Sequence, residues 1–150
     1  MKTRLTKQVK RIFETAPPRK PAPSYLVNYD GGPASVAALR EACDMASAGT
    51  KVVAVFLDQI PEGVAAEGRE MLANAILASA IVNARLYGVN IETRHIPCGV
   101  KGPTLVTLAA EQESAVLFLG VDDRELDAQL NPFADYVLSL APCQVVLVGV

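Results

Sequence analysis

The residues of this 150-residue chain with the types and spacing for chemistry gather in two short stretches. The first is Asp30-Gly31-Gly32-Pro33-Ala34-Ser35, where a carboxylate and a hydroxyl flank two glycines and a proline suited to a first helical turn. The second runs from Gly120 through Asp122, Asp123, Arg124, Glu125 and Asp127 to Asn131-Pro132. A glycine between a strand and a helix start lets backbone N–H groups approach a phosphate, and the helix dipole favours the anion. The chemistry on offer is therefore anion binding, with Asp30 placed for a sugar hydroxyl or a base edge. Each stretch also has a purely structural use. Asp30 can initiate its own turn, and the acidic run can be a solvated loop leading into an Asn131 cap with Pro132 in the first helical turn.

Catalytic groups are scarce. His95 is the single histidine and stands in an alternating segment with no matching Ser or Cys motif, which reads as a surface or half-buried residue. Cys43, Cys98 and Cys143 form no CxxC pair and have no histidine at zinc spacing, so they read as reduced thiols of a cytoplasmic protein. No metal set and no catalytic constellation emerges, and the expectation is a protein that is not an enzyme.

The elements that must position these stretches follow from periodicity. Tyr25 to Tyr29 reads as a first strand, and a helix from Pro33 toward Gly49 carries Val36, Leu39, Cys43 and Ala46 on one face. Val52 to Leu57 is continuously apolar and β-branched, as in a strand covered on both faces. A polar connection from Asp58 to Gly68 leads to a long helix ending at Gly88, with Leu72, Ile76, Ser79, Val82 or Asn83, and Leu86 as its expected buried face. Val89 to Ile96 alternates and reads as an edge strand, followed by a helix that starts near Gly102, Pro103 and Thr104. Val116 to Gly120 is a fourth strand, Pro132 opens a fourth helix, and Cys143 to Val150 is a fifth strand. Alternation of this kind predicts an α/β fold: one Rossmann-like, doubly wound, five-stranded parallel sheet in the order 3-2-1-4-5, with helices on both faces. The winding reverses between strands one and four, so Asp30 and Gly120 are expected to face each other there.

Residues 1–23 differ from the rest. They hold seven basic residues against Glu14, a net +6, which leaves −8 for residues 24–150 out of the total of −2. Leu5, Val9, Ile12 and Phe13 predict a short basic amphipathic helix, ended by Pro17, Pro18, Pro21 and Pro23. Its uses are docking on a membrane surface or acidic partner, or none, as a frayed leader. Apolar residues make up 51% of the chain but occur in short runs, so no segment reaches the ~20 residues needed to span a bilayer.

Tyr29-Asp30-Gly31 with Ser35, Leu117-Phe118-Leu119-Gly120 and Ala141-Pro142-Cys143-Gln144-Val145-Val146-Leu147-Val148, taken with the order of elements, resemble the universal stress protein family over nearly all of residues 25–150. The resemblance implies a cytoplasmic homodimer of a Rossmann-like domain, paired through the last strand, that in some members binds ATP. If a nucleotide binds, it implies Asp30, Gly31, Phe56, Gly120 and Asn131 as contacts. The ATP-binding pattern places G-x-x-G after the fourth strand and G-S or G-T before the last helix. Here Gly120 matches the first glycine, Asp123 replaces the second, Asn131-Pro132 replaces the Gly-Ser pair, and Arg124 to Leu130 is shorter than the family's loop. The carboxylates repel a triphosphate unless Mg²⁺ sits between, and Pro132 removes a backbone donor. The Asp30–Ser35 stretch also resembles in part the S-G-G-x-D-S loop of ATP pyrophosphatases, with Asp30 in place of the first Ser and Ala34 in place of the Asp.

The expected function is a non-catalytic regulatory module of universal stress type, homodimeric, with weak or no ATP binding and no resident cofactor. The alternative is a sensor of AMP, ATP or a cyclic dinucleotide held between strands one and four. Universal-stress-type domains also occur on the cytoplasmic side of transporters. The last strand is apolar and stands at an edge in the expected order, so Val145, Val146, Leu147 and Val148 are expected to pair with a second copy.

Overall fold

A computed structural model of the chain describes residues 23–122 and 131–150, together with the backbone of Thr3–Lys7. The elements in order are β1 (Thr3–Lys7), β2 (Ser24–Asn28), α1 (Pro33–Met45), β3 (Lys51–Gln59), α2 (Glu70–Arg85), β4 (Glu92–Cys98), α3 (Lys101–Glu111), β5 (Val116–Val121), α4 (Pro132–Leu140) and β6 (Gln144–Gly149). The strands form one sheet in the order β1-β6-β5-β2-β3-β4. From β2 to β6 every pairing is parallel, so the five central strands have the predicted 3-2-1-4-5 order and Rossmann-like winding.

Both faces of the sheet are covered, which is why the strands are apolar without alternation. In β3, Val52 to Asp58 are all buried between exposed ends. One face packs Leu26, Val53, Leu117, Val145 and Leu147 under Leu105 and Leu108 of α3 and Val137 and Leu138 of α4. The other packs Val27, Tyr29, Ala54, Phe118, Val146 and Val148 under Leu39 and Cys43 of α1 and Ala80 and Ala84 of α2.

The structure departs from the periodic reading in three places. Thr3–Lys7 is an extended strand, not part of a helix, and runs antiparallel to β6 from Thr3↔Gly149 to Lys7↔Val145. Its backbone meets the row of free N–H and C=O groups that β6 would otherwise expose, a demand of the sheet that no local periodicity reports. Val145 to Val148 therefore do not form the open edge expected for a second copy. Val9, Ile12 and Phe13 lie outside the described residues.

The second departure concerns α2, which buries Ala73, Leu77, Ala80 and Ala84, while Leu72, Val82 and Leu86 are 53%, 58% and 74% exposed. This helix is apolar on two sides, so periodicity alone does not choose between them. Alanines win the inner face because they let the helix axis come close to the sheet and to the β2–α1 turn. A Cβ at Gly31 would lie 3.6 Å from Ile76 Cγ2.

Third, the edge strand begins at Glu92 and continues to Cys98, later than the alternating reading placed it. Val89 and Ile91 pack beneath α1 and α2 before the ladder starts. Pro97 fits inside β4 because the outer side of this strand has no neighbour to bond.

Candidate functional site

The carboxyl ends of β2, β3 and β5 meet the starts of α1 and α4. The turn after β2 is organised by its own side chains. Asp30 Oδ1 accepts from the Gly32 N–H at 2.8 Å and from the Ser35 hydroxyl at 2.8 Å. The N–H groups of Asp30 and Gly31 donate to Ser35 Oγ, each at 3.1 Å. Gly31 holds φ +87, a backbone state that L side chains adopt only with strain, so the turn depends on glycine there. Asp30 thus forms the turn, and the N–H groups of Asp30, Gly31 and Gly32 are all bonded within it.

Gly120 is brought next to this turn, as expected for the two ends of the reversal. A Cβ at Gly120 would fall inside the Ala34 carbonyl and lie 2.8 Å from the Ser35 backbone N. This glycine therefore serves the close approach of β5 to the first turn of α1. At α4, Asn131 Oδ1 accepts from the Ala134 N–H at 2.9 Å with Pro132 at the helix start, a side-chain cap on the terminus that a phosphate would otherwise occupy. Phe56 lies on β3, where the Tyr29 N–H bonds the carbonyl of the preceding Val55. The Phe56 ring packs on Ala73 and Leu77 of α2. Asp123, Arg124, Glu125 and Asp127, the residues that would oppose a triphosphate or hold Mg²⁺, lie outside the described residues.

A cluster that sequence reasoning missed sits at the end of β3. Asp58, 1% exposed, accepts from Arg69 Nε at 2.9 Å through Oδ2 and from Arg69 Nη2 at 2.6 Å through Oδ1. His95 Nε2 is 3.0 Å from Asp58 Oδ2, and its ring stacks on Phe56 at 5.7 Å between centroids. The Arg69 hydrogen bond is the main reason the Asp58 carboxyl drops from 3.8 to about 2; burial opposes this and His95 assists it. The same hydrogen bond raises the Arg69 guanidinium. His95 thus belongs to an ion-paired group at the β3–β4 edge. The three residues are far apart in sequence, and only the polar Asp58 ending a long apolar run hints at them.

The thiols are not activated. Burial, helped by Asp44, pushes Cys43 to about 11, and burial alone pushes Cys143 to about 11. Cys98 is raised as well, again mainly by burial. A nucleophilic cysteine needs a shift in the other direction. Among the described residues, no three His, Cys, Asp or Glu side chains converge as metal ligands. No described helix is long and apolar enough to cross a membrane.

Residues 25–149 match the model of the universal stress protein family. No curated protein matches the chain. Among solved structures the chain is similar to a universal stress protein in complex with cAMP, at 22% identity and a TM-score of 0.67, over 85% of this chain and 97% of the other. The universal stress protein from Archaeoglobus fulgidus in complex with dAMP is similar at 19% identity and a TM-score of 0.68, over 85% and 97%. An AMP-bound family protein from Arabidopsis thaliana has 12% identity and a TM-score of 0.63, over 85% and 91%. Likeness at these identities is likeness of fold.

Proposed function

We propose, for this chain, which belongs to the universal stress protein family, the role of a non-catalytic regulatory module. It works as a homodimer through protein contacts, with weak or no binding of ATP. The observation that carries this reading is the internal saturation of the anion-binding positions: Asp30 and Ser35 close the β2–α1 turn on themselves, and Asn131 caps α4. A triphosphate must break those bonds before it gains its own. Raised thiols and a histidine committed to Asp58 support the absence of catalysis. Three unpaired cysteines are in keeping with a cytoplasmic setting.

A second reading, a sensor of nucleoside monophosphates, is favoured by the similar structures that hold cAMP, dAMP and AMP. One phosphate meets less repulsion from an acidic loop than three do. A thermal-shift series with ATP, AMP and cAMP, with and without Mg²⁺, separates the two. A ligand at 100 times its Kd adds about 2.7 kcal/mol, roughly 5–10 °C for a domain of this size. No shift is expected with ATP. A clear AMP or cAMP shift that Asp30→Ala abolishes would replace the first reading by the second.

A further inference from the structure

We propose that the outer edge of β4 takes a short extended segment of a partner protein as an added strand, with α3 as the wall beside it. This rests on the protein-contact part of the preceding reading and gives those contacts a surface. The β6 edge is closed by β1, whereas β4 ends the sheet and no described residue pairs with its outer side. The Ile60 N–H donates to the Cys98 carbonyl at 2.9 Å, so the backbone groups of Cys98 point inward to β3. Alternation along the strand turns those of Ile96, Arg94 and Glu92 inward too, and those of Thr93, His95 and Pro97 outward. Pro97, which has no N–H to give, stands at an outward position, in agreement with this parity.

The N–H groups of Thr93 and His95 and the carbonyls of Thr93, His95 and Pro97 are thus left without a strand to bond. Donors and acceptors at the repeat of a strand match an extended backbone, whereas a helix has used its own groups internally. The His95 side chain is turned to the other face, on Phe56 and Asp58, and leaves this edge to its backbone. Pro97 and the charges of β4 stop a long strand from pairing along the whole edge, while the short stretch before Pro97 stays usable.

The side chains beside the edge say which segment fits. A cleft of about 500 Å³ lies between β4 and α3, lined by Ile96, Pro103 and Leu108 together with Arg94 and Glu111. Ile96 packs on the α3 side of the sheet, and Arg94, two residues earlier, shares that face. An added strand therefore presents alternate side chains to the cleft: an apolar one against Ile96 and, two positions away, one opposite Arg94. Arg94 is exposed and has no ion pair among the described residues, so its counterpart is acidic. Glu111, which also lines the cleft, is on α3 and not on the strand edge where cross-strand pairing is decided.

Selection of displayed random heptapeptides on the full chain, followed by amide-resolved NMR of the full chain with the selected peptides, tests this. The expected peptides carry an apolar and an acidic residue two positions apart, and at saturation they slow hydrogen exchange at the Thr93 and His95 amides roughly 10-fold or more. N-methylation at the peptide residues whose N–H groups face the edge weakens binding roughly 10-fold or more, while N-methylation at the residues between them leaves it unchanged. Thr93→Pro removes an outward donor without touching the β3–β4 ladder and weakens binding as well, and Arg94→Glu weakens it roughly 5-fold. Recovery of no peptide, peptides that bind elsewhere, or binding indifferent to N-methylation overturns the proposal. So does a free chain whose Thr93 and His95 amides become protected as its concentration rises, since a second copy then fills the edge. Each of these failures leaves the regulatory reading standing, which the ATP and AMP thermal-shift series decides.

Discussion

Asp58 keeps a carboxylate in a position 1% exposed to solvent because Arg69 supplies two short hydrogen bonds and His95 a third. Its folded pKa of about 2 lies below the ordinary 3.8, so the stability it contributes is fully present above that ordinary value and is lost as pH falls toward 2. Asp58→Asn should therefore flatten the acid limb of the unfolding curve in that window. Urea midpoints of wild type and variant, compared between pH 4 and pH 2, give the check; an unchanged slope would show that other carboxylates set the limb. Ser35 is the corresponding residue in the β2–α1 turn, buried and accepting from two backbone N–H groups. Ser35→Ala leaves both donors without their acceptor, which should cost about 1–3 kcal/mol by chemical denaturation. A neutral result would mean that water replaces the hydroxyl.

At the scale of elements, the strand β5 and the helix α1 meet where Gly120 has no side chain. Adding one drives a Cβ into the Ala34 carbonyl, and backbone cannot swing away as a flexible side chain can. Gly120→Ala should lower stability by about 1–3 kcal/mol through overpacking, with no ligand present. If the variant is as stable as wild type in a thermal melt, the close approach is not tight in solution and Gly120 is free for another use. The same reasoning explains why α2 turns alanines inward. Its buried positions are chosen by how near the helix must lie to the sheet, and Met71, Leu72, Val82 and Leu86 are left outside while Leu77 is taken in.

Across the whole molecule, the sheet has two edges with different protection. β4 is guarded by charge and by Pro97, while β6 is guarded by the backbone of Thr3–Lys7. Consecutive residues of a strand point their N–H groups to opposite sides, so replacing both Leu5 and Thr6 by proline removes a ladder donor whichever parity holds. The double variant Leu5→Pro/Thr6→Pro should release β1 and uncover Val145 to Val148, raising light scattering on mild warming. Unaltered solubility and an unaltered melting curve would count against the covering role of β1.

The sequence by itself determined the order of elements, the winding and the strand order of the parallel sheet. These follow from local signals: continuous apolar runs, helical periods, and glycine or proline at their ends. It also showed that Asp30, Gly120 and Asn131 stand at strand and helix termini. It left open whether they hold a ligand or hold the chain, because that depends on what lies opposite them. The tertiary structure shows the part they play in the chain: the oxygens of Asp30 and Asn131 bond neighbouring N–H groups, and Gly120 meets Ala34. It also joined Asp58 to Arg69 and His95, laid β1 along β6, and chose the inner face of α2. The Asp30 and Asn131 bonds are local, but the Asp58 cluster, the β1–β6 pairing, the Gly120–Ala34 approach and the inner face of α2 are set by residues distant in sequence, and no window of neighbouring residues contains that information.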